Sequence, residues 1–366
     1  LPAFDALVRE AGAYSVMGAY NRTNGEACCA SHRLLGEILR DEWGFEGYIV
    51  SDCWAIKDIY EDHGLANTPE EAAALAVNEG CDLNCGEAYE SLVNAVHQGL
   101  ISEETITRAV KRLFLARFKL GMFDPAERVP YANIPYSEND SEEHRQLALK
   151  VALKSMVLLK NQDDLLPLNK ELKRIAVIGP NADDDEVLLG NYNGTPSRST
   201  TPLAGIREML PQAKVTFAQG CGVLGESREG FAEAIKIASE AEVAIVCLGL
   251  NPRVEGEEDI DGEGRKADRD DIGLFGVQEE LLKKIVATGT PVVLVLLNGS
   301  ALAINWADEH VPAIVEAWYP GEEGGKAFAS VLFGDYNPAG RLPVTFARSV
   351  DQLPEFADYA MYSGHT

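Results

Sequence analysis

The stretch Leu34-Leu-Gly-Glu-Ile-Leu-Arg-Asp-Glu-Trp-Gly-Phe-Glu-Gly-Tyr-Ile-Val-Ser-Asp52 governs the reading of the whole chain. Its first half sets Leu34, Leu35, Ile38 and Leu39 on one face, so an amphipathic helix is expected from His32 to Asp41. Its second half, Gly47 to Asp52, is a short apolar run that opens on glycine and closes on a carboxylate. That pattern predicts a buried strand with Asp52 at its C-terminal end. A helix feeding such a strand is the repeating unit of a parallel α/β sheet, whose strand C-terminal ends carry the chemistry.

The same alternation extends in both directions. Tyr14 to Tyr20 reads as a strand leaving into the polar turn Asn21-Arg-Thr-Asn-Gly25, and Cys81 to Cys85 as a third strand. Pro69 to Glu79, Ala88 to Gln98 and Glu103 to Leu120 read as helices. Pro125, Pro130 and Pro135 then punctuate an aperiodic polar stretch, followed by a helix expected from Ser141 to Leu159 and by Leu165-Leu-Pro-Leu168. A second α/β region begins at Lys173. Its expected strands are Arg174–Gly179, Lys214–Phe217, Val243–Leu248, Pro291–Leu297 and Ala313–Trp318, with helices at Phe231–Glu240 and Gly276–Ala287.

The chain has 366 residues, with 32 Lys and Arg against 58 Asp and Glu, a net charge of −26. Such a balance disfavours nucleic acid and anionic membrane as partners, because phosphates attract cations. It suits a protein acting on neutral or cationic small molecules. No uncharged apolar run reaches roughly 18 residues, so no membrane span is expected. No charged-then-apolar leader opens the chain, so no targeting signal is read in it. The seven cysteines form no CxxC pair, and Cys81 and Cys85 have no histidine cluster beside them. Buried free thiols are therefore expected, and no metal.

Three constellations bear on chemistry. Gly220-Cys-Gly-Val-Leu-Gly225 matches a dinucleotide fingerprint in form, but it lies in a second βα unit, and a plain glycine-rich turn is the simpler reading. Asp52, with the flat face of Trp54 beside it, is either a carboxylate at the mouth of a sheet or a helix N-cap. The acidic segment from Val254 to Arg269 crowds like charges, which suits one carboxyl to hold a proton; a solvated charged loop is the alternative. One carboxylate able to attack and another able to hold a proton is what retaining glycoside hydrolysis requires.

On these motifs the sequence resembles glycoside hydrolase family 3. The Leu34–Asp52 string is similar to the family's nucleophile segment, and Val16-Met-Gly-Ala-Tyr-Asn21 to the preceding barrel strand. Leu158-Leu-Lys-Asn161, Ile175-Ala-Val-Ile-Gly-Pro-Asn-Ala182, Gly190-Asn-Tyr-Asn-Gly194 and Asn337-Pro-Ala-Gly-Arg-Leu-Pro-Val-Thr-Phe346 also match. The resemblance implies a partial (β/α)8 TIM-type barrel followed by an α/β sandwich with a mostly parallel sheet. Residues 1–124 would be the C-terminal half of the barrel, 125–172 a linker and connecting helix, and 173–366 the sandwich. It implies a retaining, exo-acting β-glycosidase without cofactor, acting on non-reducing terminal β-D-glucosyl residues of small oligosaccharides. A β-D-xylosidase, or a catalytically weak fragment or binding module, is the alternative.

Carried over by residue, Asp52 would be the nucleophile and Glu257 the acid/base, with Glu255 and Glu263 as alternatives because an insertion blurs the register of that loop. Met17, Tyr20 and Trp54 would line the sugar pocket, and Glu255 and Ser197 would contact substrate. Two departures stand out. Cys53 follows the nucleophile where many members carry Trp, and with Cys28-Cys-Ala30 and Cys81-Asp-Leu-Asn-Cys-Gly86 this resembles the branch of β-xylosidases and related β-glucosidases. The Lys-His pair, arginines and Asp that grip the sugar in the family's first barrel half have no counterpart. A homodimer completing the half-barrel is therefore expected.

Overall fold

The computed structural model describes residues 1–255, 269, 271–355 and 358. They divide into two compact units, Leu1–Pro135 and the residues from Tyr136 onward.

The first unit opens with helix α1 (Pro2–Arg9) and strand β1 (Ser15–Gly18), followed by a short hairpin of β2 (Arg22–Thr23) and β3 (Glu26–Ala27). A π-helical segment, His32–Glu42, then leads to β4 (Tyr48–Cys53). Helices α2 (Ala55–Glu61) and α3 (Pro69–Asn78) carry the chain to β5 (Leu83–Cys85), and α4 (Leu92–His97) and α5 (Glu103–Lys119) close the unit. The strands form a parallel sheet in the order β1-β4-β5.

Helix packing supplies the core, with Leu35 and Leu39 from the π-helical face, Ile49 from β4, Ile56 and Ile59 from α2, and Ala72 and Ala76 from α3. Helix starts follow local chemistry. Thr68 Oγ1 accepts the Glu71 N–H at 3.2 Å with Pro69 at the first helical position, and Ser102 caps α5 in the same way. At the N-terminal side of β5 the buried Asp82 accepts from Arg40 at 2.8 Å, Arg112 at 2.9 Å and the Ile49 N–H at 3.0 Å. Arg40 also donates to the Phe45 and Gly47 carbonyls, so one ion cluster ties the π-helical segment, α5 and both strand entrances together. That clamp sits at the end of the sheet opposite Asp52 and leaves the C-terminal strand ends for chemistry.

The second unit begins with α6 (Glu142–Ser155), capped by Ser141, and β6 (Val157–Asn161). This corrects the expectation of one helix to Leu159 inside a linker. Met156 turns extended, and the next five residues pair antiparallel with β11 (Ala313–Glu316). Leu158 and Leu159 fit a helical stripe and a strand equally well, and the free edge of a sheet decided between them. Both elements therefore belong to the second unit.

The remaining strands are β7 (Arg174–Ile178), β8 (Lys214–Ala218), β9 (Val243–Gly249) and β10 (Val292–Leu297), giving the sheet order β6-β11-β10-β9-β7-β8. All neighbours except β6 and β11 are parallel. Helices α7 (Pro202–Met209) and α11 (Gly324–Leu332) join α6 over one face, and α8 (Phe231–Ser239), α9 (Gln278–Val286) and α10 (Asn305–His310) cover the other. With both faces covered, every residue of β9 and β10 is buried, which explains their unbroken apolar runs. Gly205 and Gly325 let α7 and α11 touch: a Cβ on Gly205 would lie 2.0 Å from the Gly325 carbonyl oxygen.

The Gly220–Gly225 segment is a glycine-rich turn between β8 and α8. Gly220 has a φ of +74°, and Gly230 packs its backbone against the Gly220 carbonyl. The glycines serve close strand–helix packing there. No helix among the described residues is long and apolar enough to cross a membrane.

Candidate active site

In the first unit, Asp52 is the fifth residue of β4 and partly exposed at its C-terminal end. Its Oδ1 accepts the N–H of Cys53 at 2.8 Å. Helix α2 starts only at Ala55, and the residue before it is Trp54. The helix-cap reading of Asp52 therefore does not hold, and the carboxylate is left to the strand mouth.

Trp54 is held in an unusual way. It adopts φ +62°, a left-handed conformation that costs a bulky residue of order 1–3 kcal/mol, and its side chain is 53% exposed. Its N–H donates to the Cys85 carbonyl at 2.7 Å, and Gly86 stands against its indole, where a Cβ would come within 3.3 Å of the ring. An indole presented to solvent at the expense of backbone strain fits a stacking platform. Met17 on β1 and Tyr20 just beyond it are likewise exposed, at 57% and 43%. The structure thus sets Met17, Tyr20, Asp52 and Trp54 at or just beyond the C-terminal ends of two adjacent strands.

The cysteine reading needs correction here. Cys53 and Cys85 face each other in the register of β4 and β5, with Cα atoms 4.4 Å apart, and form a disulfide. The other five cysteines are buried free thiols. A separation of 32 residues hid a pairing that strand adjacency creates. The bridge fastens the residue after Asp52 to the neighbouring strand. Denatured protein is expected to titrate five thiols without reductant and seven after reduction. Seven in both cases would refute the bridge.

In the second unit, β9 ends at Gly249 and a turn built on Asn251 follows. Its carbonyl accepts the Glu255 N–H at 3.0 Å and its side chain the Val254 N–H at 3.1 Å. The Glu255 carboxylate receives donors from two other strand ends. Its Oε2 accepts the Gly299 N–H at 2.6 Å and the Tyr319 hydroxyl, and its Oε1 accepts the Ser300 hydroxyl. Arg269 supports that hydroxyl by donating to Ser300 Oγ at 2.7 Å. Burial and the Glu255 charge push the Tyr319 phenol far above its ordinary range, so it stays a neutral donor. Glu257 and Glu263 lie outside the described residues.

Ser197 lies on the loop whose Asn191 side chain donates to the Glu255 carbonyl at 2.5 Å. The Ser197 N–H donates to Asp140 at 2.6 Å. Hydrogen bonds from Ser197 and the charge of Arg145 hold Asp140 down at about 2. Arg145, buried, also pairs with Glu322 at 2.8 Å and with Glu323. Glu322 and Glu323 therefore belong to an ion cluster built around the buried Arg145.

Tyr319, Ser300 and Gly299 escaped the sequence reading. Their signal was the one that exposed Asp52, polar residues at the exit of an apolar strand: Asn298-Gly-Ser300 follows β10, and Trp318-Tyr319 follows β11. Among the described residues no group of three or more His, Cys, Asp or Glu is placed to hold a metal ion.

A carboxylate at the C-terminal end of a parallel strand, with an exposed indole beside it, is the kind of arrangement that glycoside hydrolases of α/β build use. Residues 1–116 match the glycosyl hydrolase family 3 N terminal domain and residues 156–365 its C-terminal domain. The chain belongs to glycoside hydrolase family 3, with the partial barrel and α/β sandwich of that family. It is 37% identical over 371 residues to a β-xylosidase of Formosa agariphila, covering 97% of this chain and 50% of that protein. Among solved structures it is similar to a β-glucosidase from Erythrobacter marinus, with TM-score 0.86, 37% identity and coverage of 97% and 50%. It is also similar to a family 3 exo-β-xylosidase in complex with a xylobiose aziridine probe, with TM-score 0.83, 34% identity and coverage of 93% and 43%. The chain thus spans about half the length of the relatives it matches.

Proposed function

We propose that the chain acts as a retaining exo-β-glycosidase on small β-linked oligosaccharides, with a terminal β-D-glucosyl residue as glycone. The observation that carries this is Asp52 at the open end of β4 with Trp54 strained into the solvent beside it. Asp52 would attack the anomeric carbon to form a glycosyl-enzyme ester while a carboxyl of the acidic loop protonates the departing oxygen. Water, deprotonated by the same carboxyl, then cleaves the ester.

The Glu-x-Glu pattern points to Glu257 as that carboxyl, but the surroundings of Glu255 favour Glu255. A proton carrier must be held in place and must be satisfied in both protonation states. The Ser300 hydroxyl opposite Oε1 donates to the ionised form and, by rotating, accepts from the protonated one. Of the two partners of Oε2 the Gly299 amide only donates, so Oε1, which meets a hydroxyl alone, is the oxygen better suited to bear the proton.

A β-D-xylosidase is the second reading, favoured by the names of the curated relatives. β1 and β5 are the outer strands of the first unit's sheet, and a second copy of the chain pairing there would cover them. Hydrolysis of paired nitrophenyl β-glucoside and β-xyloside, with light scattering on the same sample, tests these points together. Release from the glucoside and a mass near twice 39.7 kDa are expected. Faster xyloside cleavage would reassign the glycone, and a mass of one chain would remove the dimer. No release from either would favour a binding module.

A further inference from the structure

The donors that hold Glu255 come from two turns. Gly299 and Ser300 follow β10, and Tyr319 follows β11. Beneath both lies Glu316, the last residue of β11, fully buried. Its Oε1 accepts the Trp318 N–H at 3.0 Å, inside the second turn. Its Oε2 accepts from Asn298 Nδ2 at 3.1 Å, and the same amide group donates to the Ser300 carbonyl at 2.8 Å, inside the first. One side chain therefore clasps both turns. Trp318 is also left-handed, with φ +58°, so the chain turns sharply at the residue whose N–H Glu316 holds.

A carboxyl is an expensive choice here. The other residues of β11 are apolar, as are its register partners Leu296 and Val157, and burying an acid without a cation costs several kcal/mol. Packing alone would be met by an aliphatic side chain. What the carboxyl adds, protonated or not, is two oxygens that can each accept an N–H at the separation of the two turns, which an amide cannot supply.

We infer that Glu316 is a positioning residue for Glu255: it locks the turns after β10 and β11 together so that the Gly299, Ser300 and Tyr319 donors converge on one carboxyl. This rests on the reading of Glu255 as the proton carrier. Burial, opposed by the two N–H donors and reinforced by the Glu255 charge, pushes Glu316 up to about 8. Glu316 is thus protonated through the neutral range. Above that pH it ionises and sets a second negative charge behind Glu255. Of the other groups around the cage, Tyr319 is pushed far up and stays a neutral donor, and Arg269 stands on the Ser300 hydroxyl.

The test is Glu316→Gln, which keeps the volume, cannot ionise, and turns an NH2 toward one of the two N–H donors. Expected are a fall in kcat of about 10-fold to 100-fold with KM little moved, and loss of the wild-type alkaline limb near pH 8. Wild-type kcat together with an intact alkaline limb in this variant would overturn the inference. If the wild-type protein cleaves no glycoside, the glycosidase reading fails, and positioning is judged without turnover. A urea-unfolding cycle of Glu316→Gln, Glu255→Gln and the double variant is then expected to be non-additive, because the two carboxyls share both turns. Additivity would overturn the inference.

Discussion

Asp52→Asn is expected to lower turnover of an aryl β-glycoside by a factor on the order of 10⁴ or more. The amide has the size of the carboxylate and keeps an oxygen that accepts the Cys53 N–H, so the β4 terminus should not move. The Cys53–Cys85 bridge and the Trp54-to-Cys85 hydrogen bond hold that terminus independently of the side-chain charge. Binding through the indole should survive, and KM should change much less than kcat. What the substitution would remove is the proposed nucleophile, since an amide oxygen does not form the ester intermediate. Rates on nitrophenyl β-glucoside and β-xyloside, beside thermal melts showing an unchanged fold, check this. An Asn variant as active as the wild type would end the assignment of Asp52.

The second large effect belongs to Glu255. Glu255→Ala is expected to lower kcat by about 10² to 10⁴ on substrates whose leaving group needs a proton, and by less on nitrophenyl glycosides, whose leaving group departs unaided. Azide should restore turnover by attacking the glycosyl-enzyme in place of water that no base now activates. The product would be a β-glycosyl azide, with the configuration kept. The same treatment of Glu257→Ala should yield no azide product. The reverse outcome, rescue at Glu257 alone, would return the proton to Glu257 and leave Glu255 as a substrate contact. Because the alanine also frees the Tyr319 and Ser300 hydroxyls, Glu255→Gln is the companion variant: it retains an acceptor for the Gly299 N–H but carries no proton.

The three effects at Asp52, Glu255 and Glu316 separate by their signatures. Asp52→Asn would leave no glycosyl ester for azide to attack, so no β-glycosyl azide is expected from it. Loss of the proton carrier is rescued by azide and changes with the leaving group. Loss of the clamp beneath it lowers kcat and erases an ionisation near pH 8.

Much of the frame could be read directly from residue order. A parallel sheet buried on both faces writes itself as unbroken apolar runs, and β9 and β10 were legible for that reason. Asp52 was legible because one carboxylate closes an otherwise apolar strand. Leu158 and Leu159 misled because an apolar pair at a helix exit serves a helix or an edge strand alike, and only the exposed flank of β11 recruited them.

Residue order alone settled the alternation of strands and helices, the family strings and the carboxylate at the mouth of β4, because each is a local pattern within a few turns of chain. Tertiary structure decided what meets across strands. It brought Cys53 onto Cys85, led three donors from two turns to Glu255, and placed Glu316 where both turns close. The contacts of Cys53 and of Glu255 join residues tens of positions apart through sheet register and close packing, and no spacing in the chain encodes them.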